Sequence, residues 1–125
     1  MSEDITNLRL SKHASDIANQ MKESEEFDDA LSAAKFGMAY AIKYYKDNLK
    51  TINDLDCLDG VYDASGNNYN VGSIDPDNYI ARFLELLYPG NRTPYRYARI
   101  LMCYGLNKLG DLLDENKLFP ISKNM

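Results

Sequence analysis

The sequence predicts a mainly helical domain opened by a short strand, and three observations predict it. Ile5-Thr6-Asn7-Leu8-Arg9-Leu10 alternates apolar and polar side chains at the period of a strand. Ser11 ends that alternation and offers an N-cap, after which Ala14, Ile17, Ala18 and Met21 recur at helical spacing. Three further stretches, in residues 29–46, 75–88 and 94–114, carry helical patterns with their own start and stop residues.

The strand comes first. Its backbone N–H and C=O groups need a partner strand, and the most economical partner is the same strand of a second copy. A two-fold homodimer joined by an intersubunit β-ribbon is therefore expected. With Leu8 and Leu10 facing the interior, Asn7 and Arg9 project together from the outer face.

The second helix is expected over residues 29–46, with Asp28 as N-cap. Ala30, Ala33, Ala34, Gly37 and Ala41 form a stripe of small side chains, beside a larger one of Leu31, Met38, Ile42 and Tyr45. A helix so nearly apolar around its circumference is buried against several neighbours. Gly37 costs about 1 kcal/mol relative to alanine in a helix interior, which points to close approach of another backbone. The helix is also a candidate dimer contact.

Residues 47–74 are polar and rich in Asn, Asp and Gly. Within them, 60–63 and 69–71 flank a Gly-Asn turn and read as a small hairpin. A third helix is expected to open at Asp75-Pro76, with Ile80, Phe83, Leu84 and Leu87 as its apolar face, and to stop at Pro89-Gly90. Thr93-Pro94 repeats the start device for a fourth helix, in which Gly105 and Gly110 mark bends or close contacts. The expected organisation is one domain: a strand–helix–helix dimerisation unit in 1–46, a polar loop and hairpin in 47–74, and a C-terminal helical pair as an extension in 75–125.

Net charge is −5, which disfavours indiscriminate adhesion to nucleic acid or to anionic membranes. The two parts of the chain, 1–50 and 51–125, are both mildly acidic, so a nucleic-acid contact requires a local patch. No run of about 18 apolar residues is present, so no membrane span is expected. The acidic start, Met1-Ser2-Glu3-Asp4, lacks the apolar core of a secretory signal, and a cytoplasmic location with Cys57 and Cys103 as reduced thiols is expected.

Catalytic and metal signals are weak. His13 is the single histidine, with Asp16 three residues on, and no nucleophile or enclosing pocket can be assigned to it. There is no Cys-x-x-Cys pair for a transition metal and no phosphate loop. A calcium loop starting at Asp63 fails, because Asn68 and Ile74 stand where glycine and a bidentate glutamate are needed. Asp54, Asp56 and Asp59 lie in a polar stretch with nothing to desolvate them. The expectation is a protein that is not an enzyme, with no cofactor and no metal.

The order strand, helix, loop, helix over residues 5–46 resembles the ribbon-helix-helix superfamily of dimeric DNA-binding regulators, which includes Arc-type and MetJ-type repressors. Asn7-Leu8-Arg9 looks like the ribbon of that family. The resemblance implies that Asn7 and Arg9 read bases, with arginine on guanine and asparagine on adenine in the major groove. Ile5 departs from the polar type usual at a third reading position. In that family the N-terminus of the second helix grips a phosphate, whereas Glu25, Glu26, Asp28 and Asp29 occupy the matching segment here and would repel it. A second likeness, through Phe27 to Leu31 and Ala33 to Gly37, is to small accessory proteins encoded beside bacterial DNA phosphorothioation systems.

Arg92, Arg96 and Arg99, interleaved with Tyr95 and Tyr97, offer a second surface for nucleic acid, or pair with nearby acids within the chain. Two functions stay open. One is a DNA-binding regulator or accessory protein of a prokaryotic mobile or defence locus, using Asn7 and Arg9 on double-stranded DNA. The other is an acidic subunit on the same scaffold that binds another protein and not DNA.

Overall fold

A computed structural model of the chain describes residues 4–23, 27–56 and 68–114. Strand β1 (Asn7–Arg9) leads into α1 (Lys12–Glu23) and α2 (Ala30–Tyr45); a 3-10 turn (Lys46–Asn48) and the short helix α3 (Ile52–Asp56) follow. After strand β2 (Asn68–Asn70) come the single-turn α4 (Val71–Ile74), then α5 (Tyr79–Leu87) and the long α6 (Pro94–Asp114). The architecture is mainly helical with one two-stranded antiparallel sheet.

Each long helix begins where a side chain satisfies its first N–H groups. Ser11 Oγ accepts from Ala14 N at 3.2 Å, as the sequence predicts for α1. At α2 the cap is Asp29 rather than Asp28: its carboxylate accepts from Ser32 N at 2.7 Å, so the helix starts one residue later than expected. At α5 the difference is larger. Asp75 does not sit at the N-cap; residues 76–78 turn first, with Asn78 in the left-handed region at φ 63°. Asp75 nevertheless caps from a distance, its two oxygens accepting from Ile80 N at 3.1 Å and Ala81 N at 3.2 Å. At α6, which starts at Pro94 as expected, the capping carboxylate is Asp4, 91 residues back in the chain, accepting from Tyr95 N at 2.9 Å and Arg96 N at 3.0 Å.

The core forms where α2 crosses α6, with α1 packed on both and α5 lying along α6. Ala33, Ala34 and Ala41 of the small-residue stripe are fully buried, and Gly37 is buried among them. The close approach that Gly37 suggests is made within the chain, by Gly105 of α6. Leu8 and Leu10 are fully buried in the same core, whereas Asn7 and Arg9 are exposed, the alternation that the sequence predicts.

The strand's partner is a correction. β1 pairs antiparallel with β2 of its own chain, Asn7 opposite Asn70, Leu8 opposite Tyr69 and Arg9 opposite Asn68. The backbone need that argued for a second copy is met by a tethered segment, whose closure entropy grows only slowly with loop length. Of the expected hairpin, 60–63 and the turn lie outside the described residues, as does Cys57; the second arm exists but pairs with β1. Cys103 is buried in α6.

Candidate functional site

The sheet places the two expected reading residues on one exposed face and adds two more. Across the pairing, Asn68 and Asn70 lie opposite Arg9 and Asn7 and are exposed like them, so four polar side chains share the outer side of the ribbon. Sequence reasoning missed Asn68 and Asn70 because it placed the first in a turn and paired the second's strand elsewhere. On the inner side, Tyr69 is half-buried and its hydroxyl has no hydrogen-bond partner among the described residues. Burial, with a smaller contribution from the Asp29 carboxylate, pushes that phenol up to about 12.

The three arginines differ in exposure. Arg92 is exposed in the turn before α6, while Arg96 and Arg99 are half-buried on its first turns and engaged within the chain. The N-terminus of α6 already holds the Asp4 carboxylate. The same is true of α2, where hydrogen bonds from Ser32 keep the Asp29 carboxyl below its ordinary range. At α5, burial pushes Asp75 up, but N–H groups of Ile80, Ala81 and Tyr79 and the Tyr95 hydroxyl outweigh it and hold the carboxyl low. Three helix N-termini that could cradle a phosphate thus hold a carboxylate of this chain instead.

His13 is exposed on α1, and Asp16 bonds Lys12 Nζ at 3.1 Å. Among the described residues no three His, Cys, Asp or Glu side chains gather as a metal site, and no helix is long and apolar enough to cross a membrane. An open cleft of about 450 Å³ is lined by Lys50, Thr51, Ile52, Asn53, Tyr88 and Pro89. Thr51 in that lining and Asp54 cap α3 reciprocally, Thr51 Oγ1 donating to Asp54 Oδ2 at 2.8 Å and accepting from Asp54 N at 3.2 Å. Burial, then the Asp54 charge, pushes the Tyr88 phenol up, away from any role as a base near neutral pH.

The anomalous surface is on α5. Phe83, which the sequence assigns to the inner face, is 46% exposed, Tyr79 is 69% exposed and Leu86 is 80% exposed. At about 100° per residue these three fall within roughly 60° of the helix circumference. The opposite side supplies the core through Ala81 and Leu84, with Ile80 and Leu87 half-buried between. Arg82, exposed, borders the stripe on its other flank, and the exposed Glu85 lies further round toward Ala81. α5 therefore carries two apolar faces and can bury only one of them against α6. The signal was in the sequence: six of its nine residues are large and apolar, more than one face needs. Comparison with family models, curated proteins and solved structures returns no match to this chain.

Proposed function

We propose that this protein is a non-enzymatic interaction subunit that works by docking another polypeptide on the outer face of α5. The observation that carries the reading is the stripe of Tyr79, Phe83 and Leu86, large apolar side chains held in water on a helix fixed to the core from behind. Single exposed apolar residues are ordinary, but three in line on one short helix mark an interface. Net acidity and carboxylate-filled helix N-termini fit a partner other than nucleic acid. A role as an accessory protein in a prokaryotic defence locus is compatible with the likeness in residues 27–37.

A second reading keeps double-stranded DNA as the partner. It rests on the ribbon face of Asn7, Arg9, Asn68 and Asn70, a two-stranded element of a width that the major groove admits. A single cation on that face, in an acidic chain, supplies little of the phosphate attraction on which such binding depends.

A photo-crosslinking residue introduced in place of Leu86, and separately in place of Arg9, tests both in the native host. Protein adducts from position 86 with no DNA adduct from position 9 is the expected result. DNA adducts at position 9, together with a duplex mobility shift that Arg9→Ala weakens by about 1–3 kcal/mol, would favour the second reading and overturn the first.

A further inference from the structure

We draw no further inference here: the strongest candidate, the exposed apolar stripe of Tyr79, Phe83 and Leu86 on the outer face of α5, belongs to the site already described, and nothing in the structure shows which partner covers it.

Discussion

Gly105 of α6 lies so close to Gly37 of α2 that a β-carbon at 105 would overlap the Gly37 carbonyl oxygen. The obstacle is helix backbone, which cannot rotate away as a side chain can. Gly105→Ala must therefore part α2 from α6 at the centre of the core, and is expected to cost about 3 kcal/mol or more in urea unfolding. Gly37→Ala meets Leu106 instead, with its Cγ at 2.9 Å and its backbone N at 3.2 Å. Leu106 can give slightly, and alanine regains about 1 kcal/mol of helix propensity, so a smaller loss of about 1–2 kcal/mol is expected there. Equal costs at the two positions would contradict the geometry of the crossing.

The two glycines also show how far the sequence reaches. A glycine inside a strong helical pattern has a cost that only close packing explains, so Gly37 and Gly105 are legible one at a time. Their meeting is not, because nothing in either helix names the other. Strand β1 teaches the same lesson: Leu8 in and Asn7 and Arg9 out follows from period two, while the partner at Asn68–Asn70 depends on tertiary closure. Asp75 is identifiable as a cap, but its distance from the helix depends on Asn78 entering the left-handed region, a choice made by the turn. The α5 stripe could be counted but not placed, since a helix with two apolar faces does not say which one the core will take.

Asp75 predicts how the fold responds to acid. Its carboxylate receives N–H groups at the start of α5 and the Tyr95 hydroxyl at 2.8 Å, and its folded pKa lies below the ordinary 3.8. A lowered carboxyl pKa contributes stability that is fully present above the unfolded value and is lost as pH falls through the folded one. Stability of the wild type should therefore decline below about pH 4, and Asp75→Ala should remove part of that decline while costing about 1–3 kcal/mol at neutral pH. Asp75→Asn keeps one acceptor and should fall between. Denaturant titrations at a series of pH values measure all three, and an unchanged acid limb in Asp75→Ala would refute the assignment.

Buried tyrosines shape the alkaline limb, and two of them are shifted furthest. Burial, then the hydrogen bond to Asp75, pushes the Tyr95 phenol up to about 12, and Tyr69 reaches about 12 chiefly through burial. Raised phenol values contribute stability that is intact below the unfolded value near 10 and is lost as pH climbs toward 12. Tyrosinate absorbance should show a late stage near pH 12 from Tyr69 and Tyr95. Tyr69→Phe, which removes a hydroxyl with no partner among the described residues, should flatten the late stage and leave neutral stability equal or higher. A destabilised Tyr69→Phe would mean that its hydroxyl is satisfied after all.

Asp4 ties the start of the chain to the first turn of α6 through its two carboxylate oxygens, at 2.9 and 3.0 Å from the N–H groups of Tyr95 and Arg96. Both bonds cross more than ninety residues of sequence, so they hold β1 beside α6 as well as capping the helix. Asp4→Ala is expected to cost about 1–2 kcal/mol, the upper part of the range for a lost cap, and Asp4→Asn less. The variant also uncovers a helix N-terminus, with positive dipole and free N–H groups, that the wild type keeps filled. Added sulfate should therefore raise the melting temperature of Asp4→Ala by more than it raises that of the wild type. Equal sulfate effects, with an unchanged melting temperature in Asp4→Ala, would show that α6 starts without this carboxylate.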